Sequence, residues 1–209
     1  MTTSINTSSA STGGWRATGN TVELSPSTST ASLTSAQVGK LTTDQVASLT
    51  AQQVAAITPS AIAGLSASQV RSLGTAQMAV LTTLQIRALN SAQLAAMNSA
   101  QVNAFGSEQI RALTTTQVVG LRQDQIKGVS SAVIGSLSTN QINALSTQQV
   151  RALSTEQIIG LVEGQIAYLT STQVSSLSGA QVAAMETRDL VNLNSAQLQA
   201  MNTAQIVQL

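Results

Sequence analysis

The chain has 209 residues with a formal net charge of +1, and only 8% of its residues are charged, against about 25% in average globular proteins. It contains no cysteine and no histidine, which excludes disulfides and thiolate nucleophiles, and removes the usual zinc ligands and the commonest general base. Without a clustered basic face we expect no nucleic-acid binding, and without a long uninterrupted apolar run we expect no membrane insertion.

Residues 1–32 form an N-terminal segment that is rich in serine and threonine. We interpret it as a tail, a cap or an assembly arm, and the alternation Thr21-Val22-Glu23-Leu24 predicts a short strand near residues 15–24. Its start lacks the basic and apolar regions of a Sec signal peptide. Uncharged starts of this kind resemble the non-cleaved signals of bacterial flagellar-type or type III export.

Residues 33–209 form an unbroken octapeptide repeat. Starting at Leu33 there are 22 octads, and Leu209 opens a further one. Position one is always apolar, position six is always aliphatic, and position five is Gln in all octads but those with Ala61, Val133 and Asp189. The consensus is L-[ST]-[ST]-x-Q-[VI]-x-[AGS].

The chemistry of each octad predicts one short capped helical turn. An eight-residue period would need about 4.0 residues per turn in a continuous helix, against about 3.6 in an α-helix, so the helix must be interrupted in every repeat. With Ser154 as N-cap, Gln157 completes a capping box, and Leu153 and Ile158 occupy the two positions of a hydrophobic staple. Pro59 falls at the first helical position, where proline is favoured.

We therefore predict an all-α solenoid of 22 octads, stabilised by stacking of the apolar positions one and six. Small residues at position eight let neighbouring turns approach closely. The alternative is a β-solenoid, since Val, Ile and Thr favour strands and stacked Gln can form ladders. The apolar positions one, six and eight do not alternate with period two, which favours the helical interpretation.

No catalytic constellation is present, and we expect neither an enzyme nor a cofactor, metal or small-molecule substrate. Most acids occupy positions three or four, where carboxylates stabilise the helix N-terminus. The octad that holds Glu186 and Asp189 departs most from the consensus, and we interpret it as a drifted repeat. The Gln column is interpreted as the capping partner of each helix, with a row that binds a repetitive ligand as the alternative.

Five basic residues share position seven: Arg71, Arg87, Arg111, Lys127 and Arg151. In a regular solenoid this shared position predicts one common face. Five charges over ten octads are too sparse for nucleic-acid binding, and no aromatic residues interleave for base stacking. We interpret the face as solvated.

The two ends of the repeat are the best candidates for an assembly site. Terminal repeats of a solenoid normally carry a polar cap, yet the last octad is an ordinary consensus repeat. Either the chain continues beyond this sequence, or the open end docks head to tail on an identical chain, which does not close on itself. The residues that we expect in this assembly are apolar residues of the two ends: Trp15, Val22, Leu24, Met201, Ile206 and Leu209.

The unit LSTEQIIGL (residues 153–161) resembles the tandem L-[ST]-x-x-Q-[IV]-x-[AS] runs of large secreted or surface proteins of proteobacteria. It also resembles the start of the repeats in transcription-activator-like effectors, but the longer period and base-reading loop of those repeats are missing, so DNA recognition is not implied. We expect a structural protein, a subunit of an extracellular filament, sheath or adhesin stalk, whose partner is itself. The alternatives are a secreted α-solenoid that binds a peptide or protein and, for location, the cytoplasm.

Overall fold

The computed structural model describes residues 29–162 and 164–209, together with the backbone of residues 16–18 and 21–23. The chain falls into two compact units, Met1–Met97 and Asn98–Leu209. In the first unit, strand β1 (Arg16–Thr18) pairs antiparallel with strand β2 (Thr21–Glu23), and Ala17 lies opposite Val22. Trp15 and Leu24 lie outside the described residues.

In residues 29–162 and 164–209 all regular structure is helical. The first unit contains α1 (Ser35–Val38), α2 (Thr43–Ser48), α3 (Ala51–Ala56), α4 (Pro59–Ile62), α5 (Ala67–Ser72), α6 (Thr75–Ala79), α7 (Thr83–Ala88) and α8 (Ser91–Ala96). The second contains α9 (Ser99–Asn103), α10 (Ser107–Ala112), α11 (Thr115–Val119), α12 (Gln123–Gly128), α13 (Ser131–Gly135), α14 (Thr139–Ala144), α15 (Thr147–Ala152), α16 (Thr155–Ile159), a 3-10 helix (Ile166–Tyr168), α17 (Ser171–Ser176), α18 (Gly179–Ala183), α19 (Thr187–Val191), α20 (Ser195–Gln199) and α21 (Thr203–Ile206).

Each octad forms one short helix, and all but the octad that begins at Leu161 do so in the predicted frame, so the all-α prediction is confirmed. In α16, the Gln157 backbone N–H donates to Ser154 Oγ over 3.1 Å, and the Ser154 N–H donates to Gln157 Oε1 over 2.8 Å. Pro59 is the first residue of α4. Leu153 ends the preceding helix α15 with extended dihedral angles, φ −61° and ψ 137°, which lets the next helix begin at Thr155. The alternative β-solenoid is wrong, because residues 29–162 and 164–209 contain no strand.

Three octads make one coil in each unit, because each helix packs on the helix of the third octad that follows it. In the first unit α1, α4 and α7 stack in one column, and α2, α5 and α8 in a second. In the second unit one column is α9, α12, α15, α17 and α20, and another is α13, α16, α18 and α21. Isolated helices of so few residues are unstable in water, so this stacking supplies their stability.

The core is formed by positions one and six. Position-one side chains are at most 8% exposed from Leu33 to Met201, and position-six side chains are at most 3% exposed from Val38 to Val182. The buried core also begins before the first octad, since Thr30 precedes Leu33 and is fully buried, and its Oγ1 donates to the Gln53 carbonyl oxygen. No helix of the described residues is long and apolar enough to cross a membrane.

Small residues at position eight permit the close approach of successive coils. A Cβ atom on Gly64 would lie 2.6 Å from the Cβ of Ser35, and one on Gly160 would lie 2.5 Å from the Cβ of Ser131. In both cases the neighbour is the first helical residue of an octad in the preceding coil. The prediction that small residues allow tight stacking is therefore confirmed at these positions.

Two features differ from the regular pattern. Residues at position seven share a side only when their octads belong to the same stacked column, so the prediction that all five basic residues share one face is wrong. In the second unit Lys127 and Arg151 lie on stacked helices α12 and α15, whereas Arg111 lies on α10, outside that column. Separately, the octad that begins at Leu161 forms only a 3-10 helix, and Gly164 has φ +81°, a region that favours glycine.

Candidate assembly surface

The surface through which coils stack is defined by the glutamine at position five. Gln157 Oε1 accepts the N–H of its own N-cap, while its Nε2 donates to the carbonyl oxygens of Ile126 over 2.8 Å and Val129 over 2.7 Å in the preceding coil. One side chain thus caps its own helix and joins it to the helix beneath. Glutamate would supply the capping acceptor but no amide donor, which explains the preference for Gln.

The equivalent hydrogen bond to a position-one carbonyl of the preceding coil recurs along each unit. The donors are Gln69, Gln77, Gln85 and Gln93 in the first unit and Gln141, Gln149, Gln157, Gln165, Gln173, Gln181, Gln197 and Gln205 in the second. These side chains are buried. The alternative role for this column, a row exposed to a repetitive ligand, is therefore wrong for these residues.

The series of glutamine hydrogen bonds between coils is interrupted where another residue replaces Gln. Asp189 is buried, and its Oδ2 accepts the Glu186 N–H over 3.0 Å, so it keeps the capping half of the function. A carboxylate lacks amide donors, and the Asp side chain is one methylene shorter than Gln. Within the described residues, no hydrogen bond reaches the carbonyl oxygen of Leu161, which is the equivalent acceptor in the preceding coil.

The last coil of the second unit presents the stacking surface without a partner. Leu198 and Ile206, both at position six, are 42% and 47% exposed, in contrast to the buried position-six residues of earlier coils. The carbonyl oxygens of Met185, Leu193 and Met201 accept no hydrogen bond from the part of the chain that the structure describes. The last coil thus exposes apolar side chains and carbonyl oxygens of the kind that, further back in each unit, are covered by the following coil.

The predicted assembly residues that the structure describes differ in side-chain exposure and in the unit to which they belong. Ile206 and Leu209 are exposed on the last coil, whereas the Met201 side chain is buried in the core. Val22 lies in β2 of the first unit, whereas Met201, Ile206 and Leu209 belong to the second. Sequence reasoning missed Leu198, which shares position six with Ile206 and was recognisable from the repeat once that position was known to face the next coil.

A second surface feature is a groove between α12 and α15. It encloses about 680 Å³ and is lined by Asp124, Lys127, Arg151 and neighbouring residues. Arg122 Nε and Nη2 donate to the two carboxylate oxygens of Asp124 over 2.9 and 2.8 Å. The hydrogen bond from Arg122 holds the pKa of Asp124 below its ordinary value of 3.8, and the bond to Asp124 raises the pKa of Arg122.

The repeat matches a known family of repeats. The ALTTAQ repeat matches at residues 81–115, 118–155, 130–163 and 182–209, in both units. No curated protein matches the chain. Within the described residues, no three acidic side chains cluster in a way that could hold a metal ion.

Proposed function

Because the chain belongs to the ALTTAQ-repeat family, whose matches cover more than half of its length, we propose that it is a structural protein built to stack. In this proposal it is a subunit of an extracellular filament, sheath or adhesin stalk, and identical chains assemble head to tail. The observation that carries the proposal is the exposed stacking face of the last coil, with Leu198 and Ile206 uncovered.

The chemistry of this face supports self-association over other uses. Inside each unit the same face is covered by a coil that buries the position-six side chains and donates glutamine amides to the carbonyls. A first coil of a second chain carries the same residue types, for example Gln37, which is half-buried and whose Nε2 donates to no described acceptor. The partner that fits the face is therefore another array of the same repeat.

The proposed location is the cell surface or the extracellular space, reached without a Sec signal peptide. The absence of cysteine, the resemblance to repeat runs of secreted proteobacterial proteins and the lack of charged side chains in residues 1–15 support this location. Treatment of intact cells with protease tests it, because a surface protein is cleaved under conditions that leave a cytoplasmic marker intact. Protection equal to that of the marker would place the chain inside the cell.

Light scattering on the purified full-length chain tests the assembly. We expect mass to rise with concentration and negative-stain images to show rods longer than one chain. The double variant Leu198→Glu, Ile206→Glu should remain monomeric, because it places charges on the stacking face. The matched control is Val119→Glu, Ile159→Glu, which changes residues that are 48% and 46% exposed outside the last coil, and it should assemble like the unaltered chain. A wild-type chain that stays monomeric at high concentration contradicts the proposal.

A further inference from the structure

The groove between α12 and α15 concentrates charge in a chain that has little of it. Four charged residues, Arg122, Asp124, Lys127 and Arg151, lie on these two stacked octads, out of 17 in the whole sequence. The ion pair of this cluster, Arg122–Asp124, joins an N-cap to a residue of its own helix, as Arg188–Glu186 does in α19. What distinguishes the cluster is that two further cations, Lys127 and Arg151, lie on the same two octads. Charge is therefore denser in these two octads than in the sequence as a whole.

In the octad of α12, a charged residue of this cluster occupies the N-cap position in place of a capping side chain. Arg122 stands at the N-cap, where 17 of the 22 octads have Ser, Thr or Asn, and it makes no side-chain capping bond. Loss of a capping oxygen costs about 1 kcal/mol. Positions that depart from local stability rules are often functional. Here the Arg122 guanidinium binds both oxygens of Asp124 and so neutralises the acid in the groove.

Two cations in the groove keep their charge uncompensated by the described residues. Lys127 and Arg151 are both exposed, and no acidic side chain in residues 29–162 and 164–209 forms an ion pair with either. They occupy the same octad position on stacked helices, and packed helices place their axes about 8–10 Å apart. Carboxylates two residues apart in an extended peptide lie on the same face and are separated by roughly 7 Å.

Two exposed amides lie beside the cations and complete the site. Gln123 Nε2 donates to Gln148 Oε1 over 3.1 Å, and both residues are exposed and line the groove. Each amide carries a donor and an acceptor of the kind that pairs with a peptide backbone. No aromatic side chain lines the groove, so it lacks the stacking platform typical of base recognition.

We propose that this groove binds an extended acidic polypeptide segment, with Lys127 and Arg151 each contacting one carboxylate and the amides of Gln123 and Gln148 contacting the peptide backbone. The partner is a segment of another protein that carries acidic residues at alternate positions. This binding is separate from head-to-tail stacking, because the groove lies on the outer surface of α12 and α15 and the stacking face lies on the last coil.

Fluorescence anisotropy tests the site with a fluorescein-labelled heptapeptide that alternates glutamate and threonine, at about 0.15 M salt. The full chain carrying Leu198→Glu and Ile206→Glu serves as the background, so that self-assembly does not affect the signal. We expect saturable binding that is lost when Gln replaces Glu in the peptide. Adding Lys127→Gln and Arg151→Gln should weaken binding at least tenfold without changing the circular dichroism spectrum.

The matched control adds Arg71→Gln and Arg87→Gln, which remove the same charge from the same octad position in the first unit. This control should change the affinity less than twofold. Equal weakening by both pairs of substitutions would show general charge attraction and overturn the proposal. Absence of binding to the glutamate peptide also overturns the proposal. So does binding of dextran sulfate, but not of the peptide, that depends on Lys127 and Arg151, because that result identifies an anionic polysaccharide as the ligand.

Discussion

The side-chain Nε2 of Gln157 donates a hydrogen bond to the carbonyl oxygen of Val129 over 2.7 Å, and the two residues are 28 positions apart. The carbonyl of Val129 belongs to the link between two helices, where the backbone has no helical partner. Buried backbone acceptors are costly when unpaired. The glutamine side chain therefore pairs two backbone groups that short helices leave without a helical partner. These are the N–H of its own N-cap and a carbonyl oxygen in a link of the preceding coil.

We predict that Gln157→Glu destabilises the second unit by about 3 kcal/mol or more, because it leaves two buried carbonyls without donors and adds a buried charge. Urea unfolding followed by circular dichroism measures the effect. Burial raises the folded-state pKa of this Glu above its ordinary value of about 4.3, so the loss should shrink as the pH falls towards about 4, where a protonated Glu regains one donor.

The control for that substitution is Gln37→Glu in the first coil. Gln37 Oε1 accepts the Thr34 N–H over 2.9 Å, but its Nε2 donates to no described acceptor. Glutamate preserves this capping bond, so the variant should lose less than about 1 kcal/mol. Similar losses at both positions would mean that capping, and not the bond between coils, accounts for the preference for Gln.

Asp189→Gln should stabilise the second unit. The Gln side chain restores an amide donor and supplies a hydrogen-bond partner for the carbonyl oxygen of Leu161. We expect this bond to raise the free energy of unfolding by about 1–2 kcal/mol. Asp189→Asn is the matched control, because it removes the charge and keeps an acceptor for the Glu186 N–H but is too short to reach the preceding coil. Equal gains from Asn and Gln would assign the effect to the charge alone.

Gly160→Ala and Gly120→Ala should act in opposite directions. Both glycines are helix C-caps at position eight with similar φ angles, −73° and −71°. An added Cβ at Gly160 would lie 2.5 Å from the Ser131 Cβ, whereas at Gly120 the nearest atoms lie 3.4 Å away. We expect a loss of about 1–3 kcal/mol at Gly160 and a gain of about 0.5–1 kcal/mol at Gly120. Thermal unfolding of the two variants makes the comparison.

The Arg122–Asp124 pair gives a pH prediction. Because the hydrogen bond from Arg122 lowers the folded-state pKa of Asp124, the pair stabilises the fold above the ordinary carboxyl pKa of 3.8, and that contribution is lost as the pH falls through the lower folded-state pKa. Carboxyl-selective NMR titration should find the Asp124 midpoint below 3.8. Arg122→Gln should raise that midpoint, and an unchanged midpoint would show that the ion pair does not form in solution. The effect on stability is small because the pair is exposed.

Local structure was predictable from the sequence because each octad contains a complete set of helix signals. Ser154, Gln157 and Pro59 occupy positions whose capping rules depend only on near neighbours in the chain. Such rules hold whatever the rest of the chain does. The buried character of positions one and six followed from the same frame.

The number of octads per coil was not predictable, because it depends on which helices meet in space. Every octad is chemically equivalent, so nothing in the consensus distinguishes stacking after one, two or three repeats. This is why Arg111 and Lys127 were assigned to one face, although helices α10 and α12 are not successive members of one column. The preference for Gln over Glu was the remaining clue to a second partner, since capping alone accepts either residue.

The bond from position five to position one also determines how such a chain can change its length. Every octad supplies an acceptor, and all but those with Ala61, Val133 and Asp189 supply the donor, so duplication or loss of a single octad within a unit leaves each remaining glutamine with a matching carbonyl in the preceding coil. The array can therefore change by one octad at a time instead of one whole coil at a time. Each such step rotates every later side chain to the next side of the unit, so a step before Lys127 would move Lys127 and Arg151 as an intact pair.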